Sequence, residues 1–137
     1  WTSDGGFTTG TPWIQMNPNT TEINVEQALN DSSSIFYTYQ KLIELRKQHD
    51  IITYGSFHLL FPNDPKLFVY KRQTEKEEWL VITNFSNSTE KLQWTSCEVD
   101  GLSGKVIIAN YDSLEIDEQG ISVRPYEAVV LAFERRL

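Results

Sequence analysis

The sequence has one cysteine, Cys97, so no disulfide can form within the chain and the oxidised scaffolds of small secreted domains are excluded. No apolar run approaches the roughly 20 residues that a membrane-spanning helix needs. Positive charge is scarce, with 12 Lys and Arg against 19 Asp and Glu, giving a net charge of −7 and a pI near 4.8. Phosphate backbones demand a clustered basic surface, so nucleic acid is excluded as a partner, and an anionic membrane face with it. The two histidines, His49 and His58, and the scattered carboxylates show no metal-ligand spacing, so neither a metal nor a cofactor is expected. A lone thiol fits a reducing, cytoplasmic setting.

What remains is a globular composition: 39% hydrophobic and 12% aromatic, too aromatic for a disordered tail. A length of 137 residues suffices for one domain, or for a small domain plus part of another. The chain opens at Trp1 without a signal-peptide pattern, and residues 1–30 offer little to build a core. The expectation is a piece of a longer protein.

Residues 1–30 read as an irregular stretch punctuated by Gly5, Gly6, Gly10, Pro12 and Pro18, with a turn at Asn17-Pro18-Asn19 and one helical turn near Val25. A segment from Ile35 to Gln48 follows, free of Gly and Pro and preceded by the cap-forming residues Asp31, Ser32 and Ser33. At 100° per residue, Ile35, Phe36, Tyr39, Leu42, Ile43 and Leu45 fall in one half of the helix. Burying those six side chains is worth at most about 10–15 kcal/mol, so this helix is expected to pack on something large. Arg46 falls inside the apolar arc, either snorkelling to the rim or paired with a buried carboxylate.

After Asp50 the texture changes to short apolar or alternating runs at 57–61, 67–72, 79–84, 90–94, 105–110, 121–124 and 128–133, separated by turn formers. Such spacing predicts an antiparallel sandwich of Greek-key type, with the domain boundary near residues 50–56 around Gly55. The last run, Ala128-Val129-Val130-Leu131-Ala132-Phe133, lacks alternation and is expected to be buried on both faces.

A search for chemistry is mostly negative. Glu75, Glu77 and Glu78, and Asp112, Glu115, Asp117 and Glu118, lie close in sequence, but in predicted hairpin connections where acids keep turns solvated. Cys97 reads as a buried apolar-like thiol and His49 as a cation at a helix end. The Gly5–Gly10 stretch lacks the preceding strand and the terminal Gly-Lys-Ser/Thr of a phosphate loop. Trp79, Trp94, Tyr111 and Tyr126 are either core aromatics or a sugar-stacking platform.

Gly6-Phe7-Thr8-Thr9-Gly10-Thr11-Pro12-Trp13-Ile14, Asn17-Pro18-Asn19 and Ile23-Asn24-Val25 resemble a stretch late in the catalytic barrel of bacterial α-glucosidases. These belong to the α-amylase superfamily, glycoside hydrolase family 13, and include oligo-1,6-glucosidases, dextran glucosidases and trehalose-6-phosphate hydrolases. Ser34-Ile35-Phe36-Tyr37 and Leu45-Arg46-Lys47 look like the family's last barrel helix, and Arg124-Pro125-Tyr126-Glu127-Ala128 like the final strand entry of its C-terminal sandwich. The likeness is specific across residues 6–55 and weaker through 56–120.

The resemblance implies a mainly β fold: a C-terminal β-sandwich over residues 51–137, preceded over residues 1–50 by a long loop and one amphipathic helix from a (β/α)8 barrel. By the same analogy Gly6, Phe7, Thr8, Thr9, Gly10 and Trp13 lie at the mouth of the sugar pocket, since barrel active sites are built at the strands' C-terminal ends. Trp1 matches the Trp that ends an Arg-Thr-Pro-Met-Gln-Trp stretch, so that stretch's arginine is absent, and Trp1-Thr2-Ser3-Asp4 departs from the commoner Trp-Asp version. The parent reaction implied by the resemblance is retaining hydrolysis of a terminal α-glucosidic bond by an aspartate nucleophile and a glutamic acid.

The family's catalytic carboxylates all sit on earlier barrel strands, so no catalytic residue is expected here. The implied role is non-catalytic, closing and covering the barrel, and the alternative is a carbohydrate-binding sandwich. The implied partner is the catalytic barrel of the same polypeptide, with an α-glucoside bound only by the whole protein. The isolated chain is expected to self-associate through its bare helix face.

Overall fold

The structure is a computed structural model and describes residues 5, 6 and 8–135. The chain divides into two compact units, Trp1–Gln48 and His49–Leu137. No helix among the described residues is long and apolar enough to cross a membrane.

In the first unit the turn at Asn17 is closed by the amide of Thr20 donating to the Asn17 carbonyl at 3.1 Å. It leads into α1 (Val25–Asn30). Asn24 serves both elements, its Oδ1 accepting from the Gln27 amide at 2.9 Å and its Nδ2 donating to the Thr20 carbonyl at 2.9 Å. The longer α2 (Ile35–Gln48) has no buried residue. Its start differs from the sequence expectation: Asp31 accepts from the amide and hydroxyl of Ser33, closing a turn, and Ser34 immediately precedes the helix. Ser34 Oγ donates to the Ala28 carbonyl at 2.7 Å and Tyr37 OH to the Leu29 carbonyl at 2.8 Å, tying α2 to α1.

The second unit opens with α3 (Asp50–Tyr54), a short helix in which Ile51 is fully buried. Gly55 ends it, and a Cβ there would stand 2.5 Å from the Ile51 carbonyl oxygen. Eight strands follow: β1 (Ser56–Leu60), β2 (Leu67–Gln73), β3 (Glu77–Asn84), β4 (Glu90–Gln93), β5 (Lys105–Ala109), β6 (Glu115–Ile116), β7 (Gly120–Val123) and β8 (Ala128–Glu134). They form a five-stranded sheet in the order β1-β2-β3-β8-β5 and a three-stranded sheet in the order β4-β7-β6, every pair antiparallel. A four-residue helix, α4 (Trp94–Cys97), and a 3-10 turn at Gly101–Ser103 join β4 to β5.

Alternation selects the core. Leu67 and Val69 on β2, Leu80 and Ile82 on β3, and Val129, Leu131 and Phe133 on β8 face Leu92, Ile121 and Val123 of the smaller sheet, with Trp94 and Cys97 closing one end. The fold is therefore mainly β, an antiparallel sandwich.

Two expectations are corrected. The last strand is not buried on both faces, because Ala128, Val130 and Ala132 are only half-buried. The three-stranded sheet covers one side of the five-stranded sheet and leaves the other without a layer of its own. Glu77, Glu78 and Glu115 lie on strands rather than in connections.

Candidate functional site

Gly5 and Gly6 take φ values of 80° and 61°, a left-handed conformation that glycine adopts without penalty. They open the expected mouth segment, in which Gly6, Thr8, Thr9 and Gly10 are exposed, while Phe7 lies outside the described residues. Thr8 Oγ1 accepts from the Gly10 amide at 3.1 Å, fixing the bend. Trp13 is 93% exposed, whereas Trp79 and Trp94 are 3% and 4% exposed. Trp13, Ile14, Met16, Ile23 and Val25 line an open hollow of about 600 Å³ whose remaining walls are Gly5, Gln15, Asn17, Thr20 and Asn24. Among the described mouth residues, Trp13 alone reaches it. Among the described residues no ionisable group lines this hollow, and those that do offer a surface for neutral groups.

Several carboxylates elsewhere are engaged in structural tasks. Glu127 is buried and its Oε2 accepts from the Arg124 amide and Nε at 2.7 and 3.1 Å, while Oε1 accepts from the Arg124 guanidinium at 2.8 Å. The guanidinium lies 4.0 Å from the Tyr111 ring centroid, and Tyr111 OH donates to the Pro125 carbonyl at 2.9 Å. The hydrogen bond with Glu127 raises the Arg124 pKa further above its ordinary value. Glu78 is a second buried acid, paired with the buried Lys71 at 3.0 Å and hydrogen-bonded to Gln73.

Asp64 and Asp117 each accept two backbone amides, from Lys66 and Leu67 and from Gln119 and Gly120, and those bonds hold both carboxyls below the usual aspartate value. Glu90 is held low by Lys66, 2.6 Å away, and by the Ser88 hydroxyl. Each of these acids answers a cation or an amide. The pair of facing carboxyls that a retaining glycosidase needs is not formed by them. Among the described residues no group of three or more His, Cys, Asp and Glu is placed to hold a metal ion.

The remaining candidates have structural settings. Cys97 is buried, and burial pushes its thiol pKa up to about 11, so it is inert at neutral pH. His49 packs its ring edge-on to Trp79 at 4.9 Å, just beyond the end of α2. Trp94 donates its indole N–H to the Asp117 carbonyl at 3.0 Å. Both tryptophans of the strand unit are thus buried, Trp94 in the core between the sheets and Trp79 against the His49 ring, and Tyr111 is occupied by Arg124. Arg46 is exposed and takes part in none of the ion pairs among the described residues.

Residues 1–55 match the α-amylase catalytic-domain family, and residues 67–130 match the α-amylase SusG C-terminal domain family. The oligo-1,6-glucosidase of Parageobacillus thermoglucosidasius is 46% identical over 93% of this chain. The trehalose-6-phosphate hydrolase of Bacillus subtilis is 42% identical over 94% of it. The chain spans 23% of the length of each of these relatives. A crystal structure of the Bacillus licheniformis trehalose-6-phosphate hydrolase, 40% identical, superposes with a TM-score of 0.87 over 98% of this chain and 25% of that one. Isomaltulose synthase from Klebsiella sp. LX3, 28% identical, superposes with a TM-score of 0.80 over 95% of this chain and 23% of its own. The chain belongs to the α-amylase superfamily, glycoside hydrolase family 13, and corresponds to the C-terminal part of its oligo-1,6-glucosidases and trehalose-6-phosphate hydrolases.

Proposed function

We propose that these residues serve a retaining α-glucosidase without supplying its reacting groups. Residues 1–50 form the terminal loop and last helix of the (β/α)8 barrel, and residues 51–137 are the sandwich that follows it. The observation that carries this reading is α2. A 14-residue helix presents Ile35, Phe36, Tyr39, Leu42 and Ile43 to solvent, with no buried residue. In water such a face is unfavourable unless another surface covers it. The neighbouring barrel helices are that surface, and without them the isolated chain self-associates through the same face.

The loop bearing Gly6, Phe7, Thr8, Thr9, Gly10 and Trp13 then lies on the active-site side of the barrel, with Trp13 offering the largest neutral surface to a sugar. The substrate of the whole protein is a small α-glucoside, bound by the barrel, and its setting is cytoplasmic, in keeping with the single thiol Cys97.

Transplantation tests this directly. The 137-residue segment replaces the matching portion of the Parageobacillus oligo-1,6-glucosidase, and glucose release from isomaltose is measured. The chimaera is expected to retain hydrolysis within about tenfold of the parent, a loss of no more than ~1.4 kcal/mol in transition-state stabilisation. A soluble chimaera with no turnover contradicts the reading.

A further inference from the structure

We propose that the free edge of β1 pairs with the same edge of a second copy of this chain, antiparallel and about a two-fold axis at His58, so that the two larger sheets become one.

Among the described residues the two sheets end in edges on β1, β5, β4 and β6. An open edge invites pairing with another strand, and folded chains blunt such edges with charge, proline, bulges or shortness. The other edges are blunted in this way. β5 carries Lys105 and a register shift between Val106 and Ile108, β4 carries Glu90 and Lys91, and β6 has only 2 residues. β1 has none of these devices. It pairs with β2 over its whole length without a shift, and Ser56-Phe57-His58-Leu59-Leu60 contains no Asp, Glu, Lys, Arg or Pro. Phe57 is 51% exposed and Leu59 43%.

The register fixes which backbone groups of β1 are free. At the two ends of the β2–β3 ladder the Phe85 amide donates to the Lys66 carbonyl at 2.8 Å and the Thr74 amide to the Glu77 carbonyl at 2.9 Å. Hydrogen-bonded pairs alternate along an antiparallel ladder, so Phe68, Tyr70 and Arg72 bond to β3, leaving Val69, Lys71 and Gln73 to bond β1. Their partners Leu60, His58 and Ser56 therefore spend their N–H and C=O on β2. Phe57 and Leu59 point theirs away from the sheet, and among the described residues no loop amide or carbonyl meets them.

These two residues are self-complementary. Set antiparallel about His58, Phe57 of each copy faces Leu59 of the other, and the bonds they exchange satisfy every free N–H and C=O of both edges. Other axes do worse. Centring on Leu59 pairs Phe57 with Phe61, whose φ of 52° lies outside strand geometry. Centring on Phe57 pairs Leu59 with Gly55, whose amide already donates to the Ile51 carbonyl. About His58, Phe57 and Leu59 also meet as cross-strand pairs beside the Tyr70 ring, which lies 5.0 Å from that of Phe57. No carboxylate meets a carboxylate across the axis, in a chain of net charge −7.

The test uses the 137-residue chain carrying Phe36→Lys/Ile43→Lys, which takes the α2 face out of any association. Sedimentation velocity is expected to find a dimer. Adding Leu59→Pro, which removes an N–H that β2 does not use, is expected to make it monomeric while circular dichroism remains that of the folded sandwich. Cross-linking reads the register. The two His58 residues would form a non-hydrogen-bonded pair with Cα atoms about 4.5 Å apart, within disulfide reach. His58→Cys is therefore expected to oxidise to a disulfide dimer at least about tenfold faster than Gln93→Cys, at an exposed position of β4. The native Cys97 is buried and does not compete.

A chain that is monomeric before the edge is altered overturns the inference. So does a dimer that survives Leu59→Pro, or a His58→Cys chain that cross-links no faster than the control. Should Leu59→Pro unfold the sandwich, the two cross-linking rates decide alone.

Discussion

At Glu127 a carboxylate fully enclosed by protein answers a single guanidinium, and Arg124 is held in turn by the Tyr111 ring. Glu127→Ala leaves that guanidinium without its anion and empties a buried site. The expected loss is about 3 kcal/mol, the low end for a broken buried pair because Arg124 keeps some exposure to water. Urea unfolding followed by Trp fluorescence measures it, and a loss below about 1 kcal/mol shows that water replaces the carboxylate. Gly101 makes a different demand. A Cβ there runs into the Trp94 indole, so Gly101→Ala is expected to cost about 1–3 kcal/mol through overpacking. Cys97, with its thiol pKa raised to about 11, is expected to resist an aromatic disulfide reagent at pH 8 until the sandwich unfolds. Rapid labelling under native conditions contradicts its burial.

At the scale of elements, the turns carry a pH dependence whose sign is fixed. The carboxyls of Asp64 and Asp117 are lowered by the amides they accept, from an ordinary value of 3.8. Their stabilisation is complete above that value and is lost as pH falls through the lower native one. The urea midpoint is therefore expected to fall on acidification below about pH 4, and Asp64→Asn/Asp117→Asn to flatten that fall. An unchanged slope assigns the acid sensitivity elsewhere.

The apolar face of α2 makes a prediction of its own. Phe36→Lys/Ile43→Lys is expected to reduce self-association of the chain in light scattering, and unchanged scattering removes this helix from the contact.

All seven strand runs were legible, because alternation and turn residues act locally. The short β6 and α4 were not, since two and four residues carry no period. The buried Lys71–Glu78 pair did leave a signal: Lys71 continues the inward series Leu67, Val69, and Glu78 precedes Leu80 and Ile82 at the same spacing. Composition hid it, because a charged residue near a turn reads as solvated.

At the scale of the whole molecule, residues 49–134 contain a closed core between two sheets, whereas α2, and Phe57, Leu59 and Phe68 on the larger sheet, present exposed apolar surface. That contrast explains why the sandwich was legible from its own residues while the candidate site was not. Strand alternation is satisfied within the chain. The proposed mouth loop with Trp13 and the hollow beside it acquire meaning only against a barrel, and no spacing among residues 1–30 encodes that barrel. The resemblance of Gly6-Phe7-Thr8-Thr9-Gly10 to a barrel loop supplied what periodicity lacked.

The most direct measurement is glucose release by the purified 137-residue chain from isomaltose, maltose and trehalose 6-phosphate. The expected rate is indistinguishable from buffer for all three, because the buried or pKa-lowered acids Asp64, Glu78, Glu90, Asp117 and Glu127 are each held by a cation or an amide rather than facing another acid across a sugar. Saturable turnover of any one of them, abolished by substituting a single Asp or Glu of this chain, contradicts it.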